Sequence, residues 1–285
     1  MRKGAVWAGA VAACALVAAV IGGCAARPSA PADGAASSPA ATLPDPDAGF
    51  DYQLGGPSSP PEGVTVVERD RTAPPAGAGY DICYVNGFQT QPDASAAFAK
   101  RHPDLVLRAG GKPLADPGWP DEYLFDTSTR AKRAAIAATV GEWIEGCARD
   151  GFDAVEIDNL DSYTRSHDAL TVDDNLALAA DYARIAHGAG LAIAQKNTAD
   201  QTRRLAKAGY DFAVTESCFA YQECDAYTSV YPVVLDIEYT DELGAARFGA
   251  ACASDDRPSA MILRDHDLVA SSDPAHVYRS CPPRP

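Results

Sequence analysis

Basic residues are scarce in this chain. Its 24 Lys and Arg face 39 Asp and Glu, a formal charge of −15, and two of the cations, Arg2 and Lys3, stand ahead of the first apolar run. A surface so acidic repels phosphate backbones and anionic headgroups, which argues against nucleic acid and against a basic membrane-hugging patch. A cationic ligand suits it better. Histidine is scarce too: five residues are scattered without an HExxH motif, and no cysteines show zinc-ribbon spacing. No structural metal site is expected, and no cofactor. No repeat of fixed period is visible.

The N-terminus has its own character. Arg2 and Lys3 lead into an apolar run from Ala5 to Ile21, the layout of an export signal and short for a bilayer-spanning helix. The run ends in Ile21-Gly22-Gly23-Cys24, small residues before a cysteine that would become a lipidated N-terminus. Residues 1–23 therefore read as a lipoprotein signal peptide. The mature chain would be held at the outer face of the cytoplasmic membrane through Cys24, or secreted. Residues 24–48 are mostly Ala, Pro, Ser and Gly; with so little to bury they read as a disordered tether. Residues 49–285 remain, close to the roughly 250 of one (β/α)8 barrel, so a single domain is expected, acting as a monomer.

Of eight cysteines, Cys14 lies in the signal and Cys24 at its end, leaving Cys83, Cys147, Cys218, Cys224, Cys252 and Cys281. An even set in an exported domain points to disulfides. The close pair Cys218–Cys224 is the expected bridge; the pairing of the other four stays open.

Eight strand-like runs can be read: Phe50–Leu54, Val64–Glu68, Tyr80–Val85, Phe152–Ile157, Leu191–Gln195, Phe212–Thr215, Val233–Ile237 and Ala260–Leu263. Leu105–Leu107 is a ninth candidate inside the long third connection. Between the later runs lie helical stripes. Ile136, Val140, Trp143, Ile144 and Cys147 share one face, and Leu178, Tyr182 and Ile185 another before Gly188 and Gly190; a short helix closes at Gly209. Strict strand–helix alternation makes a parallel sheet, and this count favours an α/β fold, the (β/α)8 TIM barrel. The segment from Gly87 to Thr129 is long and rich in glycine and proline, as loops shaping a cleft often are.

In a barrel, ligands sit at the C-terminal ends of the strands. Strand four ends in Glu156, Asp158, Asn159 and Asp161, strand five in Lys196 and Asn197, strand six in Glu216, and strand seven in Glu238 and Tyr239. Acids gathered at such an edge are costly unless a ligand or a reaction uses them. A helix-capping role is the plain alternative, stronger for Asp161 than for Asp158. One strand separates strands four and six, so Asp158 and Glu216 face each other across the mouth as a carboxylate pair suited to glycoside cleavage. Lys196 between them would keep one carboxylate ionised, or serve as a structural ion-pair partner.

These segments resemble glycoside hydrolase family 114, the endo-α-1,4-polygalactosaminidases. The likeness lies in Phe50-Asp51-Tyr52-Gln53-Leu54, Cys83-Tyr84, Trp119-Pro120, Gly151 through Asp161, Lys196-Asn197, Glu216-Ser217-Cys218, Tyr221 through Cys224, and Glu238-Tyr239. It implies a (β/α)8 barrel that cleaves galactosamine-containing polysaccharide and places the family's two catalytic acids on Asp158 and Glu216. Two departures stand out. Strand three continues Asn86-Gly87-Phe88-Gln89 where a serine–glycine type turn and a further acid are usual, and Ile157 stands where a proline is common.

In this reading Asp158 is the nucleophile and Glu216 the general acid/base of a retaining hydrolase. The neighbours Val214, Cys218 and Phe219 would give Glu216 an apolar setting suited to a proton donor. Asp51, Asp161 and Glu238 are candidates to pair with ammonium groups of the sugar. Tyr84, Trp119 and Tyr239 are candidates to stack on its rings, and Asn159, Lys196 and Asn197 complete the expected substrate contacts. Two other readings share the lipid anchor: a glycan-binding surface lipoprotein without turnover, and an inactive envelope scaffold. Binding proteins usually have two α/β lobes, whereas this alternation runs through once.

Overall fold

The computed structural model describes residues 41–282; the signal stretch, Cys24 and the first part of the tether lie outside them. Eight strands follow one another in one sheet: β1 Gly49–Gln53, β2 Val64–Asp70, β3 Tyr80–Asn86, β4 Ala154–Asp158, β5 Ala192–Lys196, β6 Phe212–Glu216, β7 Val234–Tyr239 and β8 Ala260–Arg264. Each pairs in parallel with the next. Parallel neighbours need long crossovers, several of them helical here: α1 Ser95–Arg101, α2 Arg130–Asp150, α3 Val172–Gly188, α4 Thr202–Ala208, α5 Cys224–Thr228 and α6 Ala245–Cys252. The eight expected strands are all present within a residue or two of their ends. Leu105–Leu107 forms no strand; Val106 makes one isolated bridge to Phe125. A two-residue hairpin, Arg108–Ala109 with Lys112–Pro113, follows it.

Alternation along each strand sends every second side chain inward. Phe50, Tyr52, Val66, Ile82, Ala154, Ala194, Val214, Ile237 and Ile262 fill the inside of the ring. The residues between them, among them Cys83, Val85, Val155, Ile157 and Ile193, pack outward on Ile136, Val140, Ile144, Leu178 and Tyr182 of the helices. Thr129 caps α2 by accepting from Lys132 N, and Gly151, at φ 95°, ends it. Thr171 and Asp174 form a reciprocal capping box on α3. Gly87 follows β3 at a place with no room for a side chain: a Cβ there would lie 2.4 Å from Ile157 Cγ2. No helix among the described residues is long and apolar enough to cross a membrane.

The seam between β8 and β1 is closed differently from the other seven. A ninth strand, β9 (Tyr278–Ser280), runs antiparallel to β8, and Tyr278 OH donates to Phe50 O at 2.8 Å. Arg264, 1% exposed, donates to Tyr52 O and, at 3.0 Å, to Val277 O. Gly55 and Val269 form a bridge above. Residues 41–48 lie against the barrel, where Tyr80 OH donates to Thr42 O at 2.7 Å and Leu43 packs on the interior cluster. Disulfides join Cys83 to Cys147, Cys218 to Cys224 and Cys252 to Cys281.

Candidate active site

Because the strands are parallel, their C-terminal ends share one face, and that face opens into a cavity of about 520 Å³. Three neighbouring strands end there in the same way. Asn159 (φ 65°), Asn197 (φ 47°) and Ser217 (φ 58°) lie in the left-handed region immediately after β4, β5 and β6. Asparagine enters that region at low cost and serine less readily. Each reversal makes the preceding residue the last of its strand, and these residues are Asp158, Lys196 and Glu216, all lining the cavity.

Lys196 forms the floor. It is 3% exposed, and its Nζ lies 3.5 Å from Asp158 Oδ2, 3.4 Å from Glu216 Oε2 and 3.6 Å from Glu156 Oε1. It donates to Tyr52 OH at 2.9 Å. Burial alone lowers its pKa, but Asp158, Glu156 and Glu216 together outweigh burial and hold it well above the ordinary value. Lys196 is thus a fixed positive charge shared by three carboxyls.

Asp158 and Glu216 are both held by donors. Asp158 Oδ2 accepts from Tyr84 OH at 2.7 Å and Oδ1 from Asn159 N at 2.6 Å. Glu216 Oε2 accepts from Asn197 Nδ2 at 3.0 Å, and Oε1 accepts from Tyr239 OH. The apolar surroundings expected for Glu216 are therefore replaced by polar ones. Val214 points into the barrel interior below, and Cys218 faces the helix layer. The side chains of Asp158 and Glu216 are 20% and 30% exposed.

Beneath this layer lies a second carboxyl pair. Glu68 and Glu156 are fully buried inside the ring. Glu68 Oε1 and Oε2 and Glu156 Oε1 meet no conventional donor, while Glu156 Oε2 accepts from Tyr52 OH at 3.3 Å. Burial drives both carboxyls up, Glu68 with further push from Glu156, and Glu156 to about 7 against the pull of Lys196.

The model of glycoside-hydrolase family GH114 matches residues 30–283 of the chain. The chain belongs to that family. The crystal structure of Ega3 from Aspergillus fumigatus in complex with galactosamine aligns with a TM-score of 0.65 at 21% identity, over 81% of this chain and 96% of that one. The glycoside hydrolase domain of PelA from Pseudomonas aeruginosa aligns with a TM-score of 0.54 at 13% identity, over 80% and 97%. At such identities the likeness speaks for the barrel fold. No curated protein matches the chain.

In this GH114 barrel, eight of the eleven residues expected to work at the site do line the cavity: Tyr84, Trp119, Asp158, Asn159, Lys196, Asn197, Glu216 and Tyr239. Asp51, Asp161 and Glu238 do not. Asp51 and Glu238 sit next in sequence to inward-facing tyrosines, so alternation turns them outward. Asp51 meets Arg264 at 3.4 Å, and Glu238 accepts from Phe219 N at 2.8 Å. Asp161 is held by Arg165, four residues on, at 2.6 Å. The same Arg165 binds Asp116 at 2.5 Å and donates to Asn159 Oδ1 at 3.1 Å.

Three further acids and a second exposed aromatic complete the lining. Glu122, Glu242 and Asp267 add acid to the walls, and Trp119 and Tyr221, each 62% exposed, stand at the rim. Glu242 accepts from Tyr221 OH at 2.9 Å and from Ser217 OH. His266 stacks on Tyr239 with ring centres 4.4 Å apart.

Proposed function

We propose that this GH114 hydrolase cleaves galactosamine-containing polysaccharide with retention at the anomeric carbon, Asp158 acting as nucleophile and Glu216 as general acid/base. The observation that carries it is one ammonium, Lys196 Nζ, within 3.5 Å of both acids at the floor of an open acidic cavity. Their nearest oxygens are therefore at most about 7 Å apart, compatible with the roughly 5–5.5 Å that retention needs.

Asp158 is fixed from both oxygens, as attack on a carbon centre requires. Glu216 is longer and more open to the cavity, where it can exchange a proton between half-reactions. In the first, Asp158 Oδ bonds to the anomeric carbon while the glycosidic C–O bond breaks and the Glu216 proton passes to the leaving oxygen. In the second, water gives a proton to Glu216, its oxygen bonds to the anomeric carbon, and Asp158 leaves.

The substrate class rests on family membership, on the galactosamine bound by the structurally similar Ega3, and on charge. Five carboxyls line the cavity against Lys196 and His266, a surface matched to a polycation. Trp119 and Tyr221 offer faces on which sugar rings stack. Export and a lipid at Cys24 belong to the same reading, supported by the signal-like N-terminus and by three disulfides. Incubating the purified protein with deacetylated and N-acetylated galactosamine polymers, with mass and anomeric analysis of the products, tests the activity. A product of inverted configuration would remove the nucleophile role from Asp158. Replacing Cys24 by Ala tests the anchor, which predicts release from the membrane or blocked processing.

A further inference from the structure

We propose that Glu122 is the carboxylate that recognises the substrate's amino group next to Asp158, and so makes the enzyme select free amino sugars; this rests on reading the cleft as a galactosamine-polymer site. Of the five carboxyls lining the cavity, four are already engaged or open to water. Asp158 and Glu216 face Lys196. Glu242 takes two hydroxyl hydrogens and is exposed, as is Asp267. Glu122 is different: it lines the cavity yet is only 8% exposed. One oxygen, Oε2, accepts from Asn86 Nδ2 at 2.6 Å. The other accepts nothing from the described residues, and none of their cations forms an ion pair with Glu122.

A carboxyl so buried is costly to ionise unless a cation arrives. Burial, with Asp158 and Asp116 nearby, pushes Glu122 up to about 7, against the pull of the Asn86 hydrogen bond and of Arg165. Arg165 is committed elsewhere, to Asp116 and Asp161. The ammonium of a 2-amino sugar is the cation this wall lacks. An acetamido group carries no charge and leaves the cost in place. An ion pair here is also screened less than one at exposed Glu242 or Asp267. Binding the ammonium sends the Glu122 proton to solvent, so affinity for the amine falls as the pH drops below about 7.

The test is KM on deacetylated polymer between pH 5 and 7 for wild type and for Glu122→Gln. Glutamine keeps an acceptor for Asn86 Nδ2, so the support of the strand end is retained and only the charge is lost. We expect kcat/KM to fall about 10- to 100-fold, the worth of one charge-assisted contact, mostly through KM. Wild-type KM should rise toward pH 5, and the variant's should not. Loss in kcat alone, an equal pH dependence in both proteins, or a flat wild-type profile would each overturn the proposal. Wild type that cleaves no galactosamine polymer would remove the polysaccharide reading and this inference with it, whereas active wild type and an indistinguishable variant remove the inference alone.

Discussion

Asn197 and Glu216 hold each other by two hydrogen bonds. Asn197 Nδ2 donates to Glu216 Oε2 at 3.0 Å, and Glu216 N donates to Asn197 Oδ1 at 2.8 Å. The side chain that follows β5 thereby sets both the backbone and the carboxylate at the end of β6. Replacing Asn197 by Ala should lower kcat about 10²-fold, the usual cost of a misplaced reacting group, and change KM much less. Steady-state kinetics check this; a change confined to KM would contradict it.

Asp158 and Glu216 should be indispensable. Asp158→Asn and Glu216→Gln are each expected to reduce kcat by at least about 10³-fold, with thermal unfolding close to that of wild type. Normal turnover by Asp158→Asn on every galactosamine polymer would remove the assignment of the site.

Lys196 Nζ lies within 3.6 Å of three carboxyls. Lys196→Met leaves them facing one another in a buried layer. Breaking a buried pair by removing one partner costs about 3–5 kcal/mol, so the urea midpoint should fall and activity should be lost. An unchanged midpoint would show that the carboxyls simply take up protons at little cost.

Buried acids also set an unusual dependence of stability on pH. Glu156 has its pKa raised from 4.5 to about 7 by burial, against the pull of Lys196, and Asp236 is raised by burial and by Glu238. The folded chain therefore binds more protons than the unfolded chain between about pH 4.5 and 7, and this contribution to stability falls as pH rises through that window, by up to about 1.4 kcal/mol per pH unit for each such proton. Urea unfolding should show greater stability at pH 5 than at pH 7.5, and Glu156→Gln should flatten the slope. Stability that climbs over the same window in wild type would contradict this assignment, because Asp126 and Asp265, whose hydrogen bonds outweigh burial and lower their pKa values, change protonation only below it.

The barrel strands were legible because each is a short apolar run between helical stripes, and the burial that selects such residues is the same burial seen in the ring. Strand β9 was not: Tyr278-Arg279-Ser280 has no apolar alternation and forms because β8 has an open edge to pair with. At the site, Asp158, Lys196, Glu216 and Tyr239 could be read as strand ends. Two misplaced residues carried a usable signal. Tyr239 faces inward, so its neighbour Glu238 must face outward, and the same parity separates Tyr52 from Asp51. Asp161 carried another, an arginine four residues later. Glu122 carried none, since only the fold brings its loop onto Asn86.

Cys252–Cys281 and β9 together give a last prediction. A cross-link spanning 29 residues is worth about 3.5 kcal/mol by loop entropy. The double variant Cys252→Ala/Cys281→Ala should melt several degrees lower, whereas an equal melting temperature would mean that the segment stays in place unaided.

The position of that segment in the chain has a consequence for how the molecule comes into being. Seven of the eight joints of the ring lie between strands that are consecutive in the chain, and each can form as soon as its second member has been made. The eighth joins the first strand to residues made more than two hundred positions later, and Phe50 O and Tyr52 O wait for Tyr278 and Arg264. A chain without Tyr278–Ser280 would keep every side chain that lines the cavity but lack part of the closure. The lining of the cavity is thus complete in sequence before the ring that carries it is closed in space.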